Sequence, residues 1–172
     1  MGRPAPDALA ALNALPRQDV ETLLRSCCAS PVWAAALAAR RPYRSADELL
    51  AAAEAELVAL GDRDLDDALA GHPRIGERPQ GPGGEQSRRE QSGVSDAAAG
   101  TLAAIAEGNR AYERRFGHVY LVCATGRSAE ELLAILRGRL GNDPQEERQV
   151  VRQELGKINR IRLGRLLEEV GR

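Results

Sequence analysis

The chain has 172 residues, of which 24 are basic and 25 acidic, for a net charge of −1. A nucleic-acid-binding domain ordinarily shows a basic excess or a basic stripe, so this balance argues against nucleic acid as a partner. Apolar residues make up 43% and aromatic residues only 3%; Leu, Ala, Val and Ile must therefore supply the core of what is expected to be one domain over 1–172, and that composition favours helices.

Taken in chain order, the opening MGRPAPDALAALNAL lacks the long apolar centre of a signal peptide. No later run approaches the roughly 20 apolar residues that span a bilayer, so a cytoplasmic protein without membrane contact is expected. Val20, Leu23, Leu24, Cys27 and Cys28 have the 3–4 spacing of a helix face. Ser30 and Pro31 supply an N-cap and a first-turn proline for the next helix, which Pro42 stops. Ser45 and Glu48 read as a capping box for a helix running to Gly61. A short helix over Asp64–Ala70 follows.

From Gly71 to Gly93 glycine and proline dominate and apolar residues almost vanish, which predicts a long functional loop on a helical scaffold. Helix returns at Ser95–Asp96 and runs to Gly117. HVYLVCATG is the only stretch with strand-like residues and has no partner strand, so it reads as an extended crossing through the core. Ser128 and Glu131 form a second capping box, for a helix closed by Gly141. Asp143–Pro144 opens the last helix. The expected fold is all-α, a compact multi-helix domain with a long Gly/Pro-rich active-site loop.

Few residues offer chemistry. The cysteines are Cys27, Cys28 and Cys123, an odd number with two adjacent, which implies no disulfide framework. Cys123 has apolar neighbours and reads as a small buried hydrophobe rather than a nucleophile. The histidines His72 and His118 have no local acidic or cysteine cluster, so no metal site is expected. His72 lies in the loop beside Pro73, where it is either an acid/base group or a plain loop residue. Ser87, Glu90 and Gln91 form either a ligand-binding cluster at a helix start or an ordinary capping box. Arg162, flanked by Ile161 and Leu163, either snorkels to water or pairs with a substrate carboxylate.

Several runs together carry a resemblance: HPRIGE at 72–77, SRREQ at 87–91, NRAYERRFG at 109–117, VCATGRSAEELLAIL at 122–136, RLGND at 139–143 and ELGKINRIRLGRLL at 154–167. LNALPRQDV and SPVWAAALAARRPY extend it to the N-terminal half. The chain resembles the 2-oxo-4-hydroxy-4-carboxy-5-ureidoimidazoline (OHCU) decarboxylases over nearly its whole length. That resemblance implies an all-helical homodimer that converts its small-molecule substrate to (S)-allantoin in urate breakdown without a cofactor. It implies His72 and Glu90 as the catalytic pair, with substrate contacts from Pro73, Ser87, Gln91, Tyr120, Leu121, Val122, Cys123, Ala124 and Arg162. Phe116–Leu121 departs from the FGFPFV found in many members; contacts made through the backbone would survive the change, and His118 is an added polar group without an assigned role. A ureide hydrolase and a helical binding module without chemistry are the alternatives, because fold alone does not fix function.

Overall fold

The computed structural model describes residues 6–77 and 84–172, so residues 78–83 of the expected loop lie outside the described residues. Every regular element among those described is helical: α1 (Pro6–Ala14), α2 (Arg17–Cys27), α3 (Pro31–Ala39), α4 (Ala46–Ala59), α5 (Asp62–Ala70), α6 (Gly84–Glu90), a 3₁₀ turn (Ser92–Val94), α7 (Ala99–Phe116), α8 (Ala129–Arg139) and α9 (Pro144–Val170). No helix among the described residues is long and apolar enough to cross a membrane. The backbone divides into two compact units, one of residues 1–68 with 156–172 and one of residues 69–155. The chain passes from the first to the second within α5 and returns within α9.

In the first unit, local capping sets the helix starts. Ser30 Oγ accepts from the Trp33 N–H at 3.2 Å with Pro31 in the first turn, as expected. Ser45 Oγ accepts from the Glu48 N–H at 3.1 Å, but the Glu48 carboxylate takes the N–H of Arg44 (2.7 Å) and not that of Ser45. The reciprocal half of the expected capping box is therefore displaced by one residue. Trp33 is fully buried, and its indole N–H donates to Ala53 O of α4 at 2.9 Å, which satisfies the one polar atom of a large apolar side chain. The α3–α4 connection is pinned to α1 by a two-way pairing. Asn13 donates to Tyr43 O at 2.8 Å and accepts from the Tyr43 N–H at 3.0 Å. Arg41 Nη1 donates to Leu12 O and Leu15 O at 3.0 and 2.8 Å, covering carbonyls at the α1 C-terminus. α1 corresponds to no helix expected from the sequence.

In the second unit, α7 and α8 pack around Ile75, Val94, Ile105, Tyr112, Tyr120, Val122, Leu132 and Leu136, all buried. α7 starts at Ala99, after the 3₁₀ turn, and not at Ser95–Asp96. It ends where expected, at Gly117, whose φ of +78° is the left-handed C-cap that favours glycine. α8 carries the complete capping box read from the sequence: Glu131 N–H donates to Ser128 Oγ at 3.2 Å and Ser128 N–H to the Glu131 carboxylate at 2.7 Å. Residues 118–124 form neither helix nor strand, in line with a crossing segment.

Candidate active site

The second unit brings the HP run and the S-x-x-E-Q run together through one side chain. Gln91, directly after α6, accepts from the Gly76 N–H at 3.0 Å and sets its amide nitrogen 3.5 Å from Arg74 O. The turn that follows His72 is thus held against the end of the helix that carries Ser87 and Glu90. Asn109 of α7 donates to Ile75 O at 3.0 Å from a buried position. Arg74 makes a two-point pair with Glu113 of α7, at 2.6 and 3.1 Å. That pair holds the Glu113 carboxyl below its ordinary range. Gly76 has φ +86°, and a Cβ there would stand 3.6 Å from Ile105; the positive φ, more than the space, is what selects glycine. Glu113, Asn109 and Gln91 therefore hold Arg74, Ile75 and Gly76, the turn that follows the His72–Pro73 pair.

His72 is half-buried, with its backbone N–H on Leu69 O at 3.0 Å in the last turn of α5, and Pro73 is half-buried beside it. Ser87 and Glu90 are buried, at 5% and 8% exposure. They lie inside α6, where Ser87 O accepts from the Gln91 N–H at 3.0 Å. Ser87 is not an N-cap, and both expectations of a helix start at this point are corrected. A Ser and a Glu three residues apart inside a helix share one face, and that face is turned into the protein. The same helix shortens the expected 71–93 loop from its C-terminal side.

Tyr120, Leu121, Val122, Cys123 and Ala124 are all buried. Their main chain is held by charged side chains. Arg139 Nη1 donates to Leu121 O at 2.7 Å, the Cys123 N–H donates to Glu154 Oε2 at 2.8 Å, and Arg127 Nε donates to Cys123 O at 3.2 Å. Behind the segment, Arg139 and Glu147 form a buried ion pair, with Nε to Oε1 at 2.7 Å. Glu147 also accepts from the Tyr112 hydroxyl and, at 2.8 Å, from Asn142. The Arg139 guanidinium lies 4.9 Å from the Tyr120 ring centroid. Burial, with the Glu147 hydrogen bond next, pushes the Tyr112 phenol well above its ordinary range. Sequence reasoning placed Tyr112, Asn109, Arg139 and Glu154 within elements or motifs but gave none of them a role, and it did not single out Glu147. A charged residue on a helix rich in other charges gives no local sign of burial.

Cys123 is buried, at 8% exposure, consistent with a packing role. Cys123→Ala is expected to keep most of the turnover while losing about 1–2 kcal/mol of stability, read by activity assay and urea unfolding on the same preparation. A folded but inactive variant would overturn that reading.

Arg162 belongs to the first unit. It is 6% exposed and its Nη1 donates to Cys27 O at 3.2 Å, so it does not snorkel to water. Burial pushes the Cys27 thiol up to about 12, with the Arg162 charge working against that rise. If the guanidinium also grips a substrate carboxylate, as the resemblance implies, Arg162→Lys lowers kcat/KM by about tenfold or more, because an ammonium cannot make the planar two-point contact. Unchanged kcat/KM would leave Arg162 with a structural role alone.

The second unit thus holds a buried carboxylate on a short helix, a histidine turn tied to that helix and a clamped backbone segment. The OHCU decarboxylase family model matches residues 13–164, and the chain belongs to that family. It is 32% identical over 162 residues to a 2-oxo-4-hydroxy-4-carboxy-5-ureidoimidazoline decarboxylase of Amia calva, covering 91% of this chain and 93% of that protein. It is 30% identical over 148 residues to a uric acid degradation bifunctional protein of Arabidopsis thaliana, covering 83% of this chain but only 46% of that longer protein. Among solved structures, an OHCU decarboxylase crystallised in the presence of (S)-allantoin superposes with a TM-score of 0.73 at 28% identity, over 83% of this chain and 95% of that one. An (S)-allantoin synthase shares the fold at 19% identity with a TM-score of 0.71, over 92% of this chain and 53% of that one.

Proposed function

We propose that this chain decarboxylates 2-oxo-4-hydroxy-4-carboxy-5-ureidoimidazoline to (S)-allantoin, with His72 and Glu90 as its catalytic pair. The observation that carries the reading is the Gln91 clamp, which ties the turn after His72 to the end of the helix bearing Glu90. The substrate contains its own electron sink. The bond from C4 to the carboxylate breaks, its electron pair forms a C4=C5 double bond, and the C5=N bond takes up electrons and a proton at nitrogen. The resulting enol then loses its hydroxyl proton as C4=O forms, and C5 receives a proton on one face. No step requires a separate electron acceptor, which is why a cofactor is not expected.

In this reading His72 handles the hydroxyl or carboxylate and the associated proton, and Glu90 accepts a hydrogen bond from the C4 hydroxyl to fix the reactive rotamer. Pro73 and Ser87 also contact the substrate, and the main chain of 120–124 contacts the ring and ureido groups. Gln91 is assigned both to substrate and to the turn it holds. A homodimer in the cytoplasm belongs to the same proposal, and light scattering on the purified protein checks the dimer.

The test generates the unstable substrate in place from urate and follows optical rotation. With this protein, rotation of one sign should develop faster than in its absence, and dialysis against a strong chelator should leave the rate unchanged. Racemic product at the uncatalysed rate would sink the proposed activity, and a loss that added metal restores would sink the cofactor-free mechanism.

A further inference from the structure

Two full charges are bonded to the main chain on either side of Val122. The Leu121 carbonyl accepts from the buried Arg139 guanidinium at 2.7 Å, and the Cys123 N–H donates to the buried Glu154 carboxylate at 2.8 Å. Arg41–Pro42 is the one cis bond among the described residues, so both peptides flanking Val122 are trans. In a trans peptide the carbonyl and the N–H point in opposite directions. The Val122 N–H therefore points away from Arg139, and the Val122 carbonyl away from Glu154. Val122 is 4% exposed, and its main chain has no protein hydrogen bond among the described residues. Buried peptide groups in that condition ordinarily have a partner of some kind.

The charges alter what those two groups can do. A cation on the Leu121 carbonyl draws electron density from the peptide and makes the Val122 N–H a stronger donor. An anion on the Cys123 N–H pushes density the other way and makes the Val122 carbonyl a stronger acceptor. One residue thus offers a strengthened donor and a strengthened acceptor, complementary to a carbonyl beside an N–H. A cyclic ureide presents that pair along one ring edge.

We propose that Arg139 and Glu154 are positioning residues that act through the two peptides flanking Val122, strengthening its N–H and carbonyl for the adjacent carbonyl and N–H of a cyclic ureide. The inference rests on the reading that 120–124 contacts the substrate. It adds that specificity for the ureide edge is set by residues that do not touch it.

Glu154→Gln tests this directly, because the amide oxygen can still accept from the Cys123 N–H while the charge is gone. Expected are a Kd for (S)-allantoin and a KM each raised about threefold to tenfold, as a charge-assisted bond becomes a neutral one. The kcat should stay within about twofold and the melting temperature near that of the parent. A folded variant with unchanged Kd overturns the proposal. If the variant fails to fold, the unmodified protein decides. Saturating (S)-allantoin should move the Val122 amide proton downfield in a proton–nitrogen correlation spectrum, and a Val122 resonance that does not respond overturns the proposal. Absence of any stereoselective turnover by the unmodified protein would sink the underlying activity as well, whereas turnover with a silent Val122 removes this inference alone.

Discussion

Glu90→Gln is expected to leave the fold intact and cut turnover by about 10²-fold or more, the range for a positioned acid/base group. The sequence allowed a second account of Glu90, as the N3 residue of a capping box, and glutamine serves that position nearly as well. On that account the substitution is silent. With Ser87 inside α6 and no N-cap at that position, the capping account has lost its geometry, and a large effect on rate has to come from the carboxylate itself. His72→Asn should behave alike, with the melting temperature close to the parent's. The double variant should be little worse than the poorer single one, because residues that act as a unit are not additive. Near-normal turnover in either folded single variant removes that residue from the mechanism.

The largest loss of stability is expected at the ion pair behind the 120–124 segment. Arg139→Met removes a guanidinium whose side chain is 8% exposed and leaves the fully buried Glu147 carboxylate with only the Tyr112 hydroxyl and Asn142 amide. Breaking a buried pair from one side costs about 3–5 kcal/mol, because the surviving charge stays out of water without its partner. Urea unfolding of Arg139→Met should show a drop of that size. The Arg139→Met/Glu147→Gln double variant should recover part of it, since no uncompensated charge then remains. A single-variant loss below about 1 kcal/mol would mean that water reaches the pair and screens it.

What could be read in the sequence was what depends on neighbours in the chain. Ser30–Pro31, Ser128 with Glu131, Gly117 and Pro144 mark helix ends because capping acts within a single turn, and those ends stand where the residues put them. The same locality explains the misreading at Ser87. S-x-x-E spacing marks a helix start and also one turn of a helix already under way, and a run of Gly and Pro just upstream made the start the natural choice. α1 was missed because PDALAALNA carries little helical alternation of apolar and polar residues. The family motifs made the site residues legible, but their supports were not. Arg139 and Glu147 pair because the end of α8 meets the start of α9. Gln91 reaches back 15 residues to Gly76, and Glu154 reaches 31 residues to Cys123. Nothing local distinguishes those side chains from the many exposed charges on the same helices.

The division of the backbone has a consequence for how the protein is made. The second unit is one uninterrupted stretch, 69–155, whereas the first joins residues 1–68 to 156–172. The stretch that carries His72, Glu90 and the 120–124 segment is made before Gly156–Arg172. α1–α4 are made before that stretch, yet their unit also needs Gly156–Arg172, which is made after it. Domains ordinarily form in the order in which they are translated. Here the order of synthesis completes the inserted stretch before the unit that encloses it in sequence, so α1–α4 precede a segment of their own unit by the whole length of the other.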